Sequence, residues 1–432
     1  MLFKDITIID ENFQVKEHRY VGVKGDRIAC ISDTLPKEDY GEVYDGKNRL
    51  LIPAFYNMHS HLYMSLMRGY GENLPLDTWL QSRIFPFEAH LTQEDMYWGA
   101  LMGTAEMLRY GIGSTQDMSI EQTAAARALT DSGVKAVLSQ CCFCWDDSGY
   151  EDAPIYRQTL DTIDRFNGID NDRIRVEFSL HAEYTSTEKF AKGIAEAAKK
   201  HGSSMHVHVS ETAGEVEACR VRHGGRSPVR YLADCGIFDV PAVVAHCVHV
   251  DGEDIAILKA HNVTVATNPK SNAKLASGIC PVTDLLNAGV NVAIATDSVA
   301  SNNNLNMIEE MRFFNLLQKA RTYDPTVITP EQTLYAATRA GALAQRREDC
   351  GFVKEGFRAD LAVLDIDTVY MKPVHNLLNN LVYAASGNDV VLTMVDGRVL
   401  YRDGSYPTLD IERISYECEK SHQRILGALG KK

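Results

Sequence analysis

Hydrophobic and polar positions change rhythm twice along the chain. Over residues 1–50, apolar residues alternate or come in short runs at 2–9, 20–23 and 27–31, the signature of strands. Turn-forming stretches, Asp10-Glu11-Asn12 and Lys24-Gly25-Asp26, separate them. The same rhythm returns at 359–365 and 390–395, and Asp396-Gly397 sets a hairpin turn into 399–401. Between these ends, short apolar runs alternate with helix-period stretches. A strand around 114–117 precedes a helix at 121–132 and a strand at 135–140. A helix at 187–201 precedes strands at 204–209, 242–246, 263–267 and 290–296. Strand–helix alternation predicts a parallel sheet, and the length of the stretch suits a closed barrel. The expected class is therefore α/β. A (β/α)8 TIM-type barrel spans 55–344, a small β-sandwich domain is built from both chain ends (1–54 and 345–409), and a C-terminal helix covers 410–432.

The totals leave that outline intact and narrow the function. The 432 residues are 45% hydrophobic and 24% charged, an ordinary balance for a globular enzyme. The formal charge is −14, without the basic stripe a nucleic-acid binder shows. The N-terminal residues Met1 to Asp5 lack a basic segment leading into an apolar run, and no stretch of eighteen apolar residues occurs. The ten cysteines do not form a secreted-domain framework. A cytoplasmic protein that binds neither membrane nor nucleic acid is expected.

Chemistry concentrates where the predicted barrel strands end. His59-Ser60-His61 follows an apolar run, and residues two apart on a strand share a face, so both imidazoles converge. His206-Val207-His208 ends another strand; His208 is nearer its end, and His206 one layer deeper has a hydrogen-bonded core role. His246 and Asp297 close two further strands. Barrel active sites are built at that face. Several imidazoles with a carboxylate suit zinc or a similar borderline metal with room left for water. The middle strand 175–181 ends in His181 and contains no lysine that could bridge a second ion, which points to one metal. Cys141 and Cys144 have metal-like spacing but no second pair, and read as reduced cysteines of the pocket wall.

The segment Pro53-Ala54-Phe55-Tyr56-Asn57-Met58-His59-Ser60-His61 resembles the first-strand motif of the amidohydrolase superfamily. Leu74-Pro75-Leu76-Asp77-Thr78-Trp79-Leu80, 206–212, Asn268-Pro269-Lys270-Ser271-Asn272 and Thr296-Asp297-Ser298 are similar to its methylthioadenosine/S-adenosylhomocysteine deaminase branch, which is related to chlorohydrolases. The resemblance implies His59, His61, His208 and Asp297 as ligands of one divalent metal per subunit, Zn2+ with Fe2+ or Mn2+ as alternatives. It implies Glu211 as proton shuttle and His246 beside the attacking water, with Asp297 taking part in catalysis. His181 would contact substrate, Glu88 the ribose hydroxyls, and Trp79 the base. Such enzymes also use arginines after the second and third strands; Cys141-Cys142-Phe143-Cys144-Trp145 has none, and Arg157 is the nearest candidate.

Bland alternatives stand beside these. Glu211 could be a helix-start acid, Glu88 a solvated surface acid, His181 a core histidine, Trp79 simple packing, and His249 a helix-start residue. The expected function is hydrolytic deamination of an adenine nucleoside: adenosine, 5′-deoxyadenosine, methylthioadenosine or S-adenosylhomocysteine. The alternative is deamination or dechlorination of a free heterocycle such as guanine, 8-oxoguanine, a pterin or a triazine. A non-catalytic binding protein on the same scaffold would show broken ligand positions. The expected partner is a small-molecule substrate, in a homo-oligomer (dimer or tetramer).

Overall fold

The structure, a computed structural model, describes residues 1–430. The last two positions of the expected C-terminal helix, 431–432, lie outside the described residues.

Five short strands open the chain: β1 (Leu2–Ile9), β2 (Val15–Lys24), β3 (Arg27–Ser32), β4 (Val43–Asp45) and β5 (Arg49–Pro53). Eight parallel strands follow: β6 (Phe55–Ser60), β7 (Ile112–Ser119), β8 (Lys135–Gln140), β9 (Ile174–Ala182), β10 (Met205–Val209), β11 (Ala242–His246), β12 (Thr264–Thr267) and β13 (Asn291–Ile294). They pair in sequence order, as right-handed strand–helix–strand units require. Every residue of β6, β7 and β8 is buried, because helices cover one face and the barrel interior the other.

The ring closes between its first and last strands through a few specific bonds. The Asp297 backbone N–H donates to His59 O (3.0 Å), and the Thr296 N–H donates to Asn57 Oδ1 (2.9 Å). Asn57 Nδ2 donates in return to Thr296 Oγ1 (2.7 Å). This closure carries Asp297 to the strand that presents His59.

Three C-terminal strands, β14 (Leu361–Asp365), β15 (Val390–Val395) and β16 (Arg398–Arg402), complete the small domain. The sandwich expected from the two chain ends takes the form of one eight-stranded mixed sheet. Its order is β16-β15-β14-β5-β1-β2-β3, with β4 beside β1. β5 pairs antiparallel with β14 and parallel with β1, so the two ends are stitched at that strand. Only Ala54 separates β5 from β6, so the sheet sets the position of the first barrel strand directly. The final helix, Ile411–Ala428, packs on the helix Gln93–Arg109.

Candidate active site

Three histidines meet at the C-terminal mouth of the barrel. His61 donates Nδ1–H to Met118 O (2.7 Å), and His208 donates Nδ1–H to His181 O (2.6 Å). A carbonyl oxygen can only accept, so both rings carry their proton on Nδ1 and present a lone pair at Nε2. Those two Nε2 atoms lie 3.3 Å apart. The buried Nε2 of His59 has no hydrogen-bond partner. One ligating nitrogen from each ring falls in a cluster within 4.8 Å. Burial lowers the pKa of all three, that of His59 to about 3, which keeps them in the neutral form that binds metal.

Asp297 completes the group. Its Oδ1 lies 3.5 Å from His59 Nε2 and 3.6 Å from His61 Nε2. Its Oδ2 accepts hydrogen bonds from Ser271 Oγ (2.6 Å) and Ser301 Oγ (2.8 Å), which turns Oδ1 toward the histidines. Burial alone would raise this carboxyl, but the histidines around it, His59 first, hold it well below the usual range. Facing lone pairs and an anion, all buried, repel one another unless a cation lies among them. The residues fit a divalent metal, with two imidazole orientations set by backbone.

Glu211 and His246 flank the cluster. His246 donates Nδ1–H to Asn272 Oδ1 (2.8 Å), and its Nε2 stands 3.7 Å from Glu211 Oε2. Burial raises the Glu211 pKa. Burial opposes charge on His246, yet the Glu211 and Asp297 carboxylates raise its pKa overall. The loop bearing Glu211 is pinned from behind: Glu215 accepts from the backbone N–H of Ser210 (2.8 Å) and of Glu211 (2.6 Å). Ser210, His246, Cys247 and Asp297 all take positive φ (53°, 73°, 47° and 60°), a costly conformation for side-chain-bearing residues. Backbone strain therefore gathers where β10, β11 and β13 end in the site.

A cavity opens above these groups. Among the residues that line it are His61, His181, His208, Glu211, His246 and Asp297. Trp79, which is buried, and Glu88, which is half-buried, also line it. Tyr63 Oη donates to Glu88 Oε1 (2.6 Å), and burial pushes the Glu88 carboxyl up to about 7. The Phe143 ring stacks on His181, centroids 4.6 Å apart. Arg157 is not brought here: it is exposed on the helix Pro154–Phe166 and does not line the cavity, so the expected substrate contact has no geometric basis. His249 donates to or accepts no cavity group; its Nε2–H reaches Ser277 O (2.7 Å). Cys141 lines the cavity, while Cys142 and Cys144 are buried with their thiols on Gln140 O and Asp146 O (3.2 Å each). A second cluster, Glu183, Cys219 and His223, is no cation site, because Arg222 Nη2 (2.6 Å) and His223 Nε2 (2.6 Å) already occupy the Glu183 carboxylate.

Sequence reasoning missed Tyr63, Phe143 and the support that Asn272, Ser271 and Ser301 give to His246 and Asp297. Ser271 and Asn272 do lie in a segment that resembles the deaminase branch, which was the available signal.

The chain belongs to the amidohydrolase family, whose model matches residues 50–400. It is 38% identical to a 5-methylthioadenosine/S-adenosylhomocysteine deaminase from Thermoanaerobacter pseudethanolicus, over 99% of each chain. It is 36% identical to a 5′-deoxyadenosine deaminase from Methanocaldococcus jannaschii, over 93% of this chain and 95% of that one. An adenosine deaminase from Xanthomonas campestris, solved with bound zinc, superposes with a TM-score of 0.91 at 28% identity, over 98% of each chain. These findings and the histidine cluster establish a divalent-metal site in a hydrolase fold. No described helix is long and apolar enough to cross a membrane.

Proposed function

We propose that the protein is a hydrolytic deaminase of an adenine nucleoside, using one divalent metal ion, zinc, held by His59, His61, His208 and Asp297. The observation that carries this reading is that Glu211, two histidines of the cluster (His61 and His208) and half-buried Glu88 line one cavity. The relatives' names support it. A single ion fits because the middle barrel strand, β9, carries His181 one residue before its end and no lysine.

A divalent cation in such a site lowers the pKa of water toward neutrality and so supplies a nucleophile. Asp297, its Oδ1 free of the serine bonds, accepts the proton of the attacking water. Glu211 has its pKa raised by burial, so it can hold a proton and deliver it to the ring nitrogen beside the attacked carbon. Left as a carboxylate, it takes up the proton of the newly added hydroxyl and passes it to the departing amine, and the proton on Asp297 then restores it. His246, fixed by Asn272, turns Nε2 toward the attacking oxygen and the charge that develops there. Glu88 accepts from ribose hydroxyls, and Trp79, Phe143 and His181 enclose the flat base.

An ammonia-release screen of zinc-replete protein tests this. Adenosine, 5′-deoxyadenosine, methylthioadenosine and S-adenosylhomocysteine would be compared with guanine, 8-oxoguanine, pterins and triazines. Turnover of at least one nucleoside is expected; turnover of free heterocycles alone overturns the reading.

A further inference from the structure

His59 differs from the other two histidines in what orients it. Backbone carbonyls hold His61 and His208, and no side-chain substitution removes those acceptors. The Nδ1 of His59 instead faces His206 Nε2 at 3.0 Å. For His59 to present a lone pair at Nε2, its proton must sit on Nδ1, and His206 Nε2 must accept it. His206 then carries its own proton on Nδ1. That buried atom has no hydrogen-bond partner, and Glu177 Oε1 stands 3.6 Å from it. Gln116 Nε2 (2.6 Å) and Ser204 Oγ (2.7 Å) donate to the two Glu177 oxygens and fix the carboxylate. His206 is 0% and Glu177 1% exposed, so bulk water offers neither an alternative partner.

We propose that Glu177 and His206 are positioning residues that hold His59 in its metal-binding tautomer from the opposite side of the barrel interior. The inference rests on the reading of His59 as a metal ligand. The electrostatics are one-sided. In the other tautomer, His206 would turn a lone pair toward the Glu177 carboxylate and His59 would aim an N–H at the cation. In the favoured tautomer, the His59 proton points at His206, the His206 proton lies on the side of the Glu177 carboxylate 3.6 Å away, and the last lone pair points at the metal. Glu177 also lines a separate cavity, with Gln116, Ser204 and Arg346, remote from the substrate cavity. Its influence therefore reaches the metal through His206 and not through substrate.

The test is zinc affinity, measured at pH 8 by competition with a chromophoric chelator. That pH lies above the value of about 7 to which burial pushes the Glu177 carboxyl. His206→Phe keeps an aromatic ring and removes the acceptor. Glu177→Leu removes the carboxylate. Each is expected to weaken zinc binding about 10–100-fold, with the melting temperature of the metal-free protein close to wild type for His206→Phe. Wild-type zinc affinity in both variants overturns the proposal. Independently of any variant, histidine-selective 15N spectra of the zinc-loaded wild type read the tautomers. A proton on His206 Nδ1 and on His59 Nδ1 is expected, and a proton on His206 Nε2 overturns the relay. If wild-type protein binds no zinc at all, the ligand reading fails and the relay falls with it. Tight wild-type binding with unaffected variants sinks the relay alone.

Discussion

His61 and His208 point their Nε2 atoms at each other across 3.3 Å while each gives its Nδ1 proton to a backbone carbonyl. Neither nitrogen can donate to the other, so the contact is repulsive until a cation separates the lone pairs. Removing metal with a chelator should therefore cost stability as well as activity. A ligand present at 1,000 times its Kd stabilises by about 4 kcal/mol. Calorimetry on chelated protein, with and without added zinc, should show a rise of several degrees on reloading together with return of ammonia release. A melting temperature indifferent to zinc would count against the site.

Glu211 is expected to act on protons and not on the metal. It stands beside His246, and Ser277 Oγ donates to its Oε1 at 3.4 Å. Glu211→Gln keeps the shape and removes the acid–base function. The expected result is a kcat lowered about 10²–10⁴-fold with zinc content unchanged by elemental analysis. Full activity in that variant would remove Glu211 from the proton path.

The clustering of these candidate ligands was legible because strand geometry is local. A period of two puts His59 and His61 on one face, and the apolar runs before them mark the strand end. The barrel and the pairing of both chain ends followed from the same rhythm. Contacts that depend on how separate strands register were not legible. Glu177 and His206 meet only because β9 and β10 are neighbours, with His206 opposite Ser179. The sixteen-residue helix Met307–Thr322 was also missed, because its apolar and charged residues do not sort cleanly into two faces. Arg157 failed because proximity in sequence to the cavity wall does not decide which way a helix faces.

On the proposed reading, Glu88 should separate nucleoside from free-base chemistry. It is half-buried, accepts from Tyr63, and lines the cavity with no cation bonded to it. A carboxylate bonded to substrate hydroxyls contributes about 1.5–3 kcal/mol per charged hydrogen bond. Glu88→Gln should lower kcat/KM for the preferred nucleoside about 10–100-fold and leave a bare base almost unaffected. Equal losses on both kinds of substrate would remove Glu88 from ribose recognition.

A pH effect on stability follows from Glu310. It is 0% exposed, Asn302 Nδ2 donates to it at 2.7 Å, and burial pushes its carboxyl from 4.5 to about 8. Between those values the unfolded chain binds fewer protons at this site than the folded one. The stability contributed by the protonated group is whole below 4.5 and is lost as pH rises through about 8. Glu310→Gln lacks this dependence. Urea titrations should show the variant gaining on wild type between about pH 5 and pH 8; a constant gap would show that Glu310 does not titrate in that window.

Lys135 ties the barrel to the small sheet. It begins β8, is 2% exposed, and its Nζ donates to both Asp360 and Asp396. Asp360 precedes β14 and also accepts from Tyr56 Oη at 3.2 Å, while Asp396 forms the β15–β16 turn. Taking away the ammonium leaves Asp360, itself 3% exposed, without its counter-ion. Breaking such a buried pair costs about 3–5 kcal/mol. Lys135→Met should lower the urea midpoint accordingly, and adding Asp360→Asn to it should cost less than the sum of the two single changes. The kcat of the folded variant should stay near wild type, because Lys135 lies at the start of its strand and the histidine cluster at the C-terminal ends of other strands, β6 and β10. A loss below about 1 kcal/mol would mean that this ion pair does not join the barrel to the small sheet.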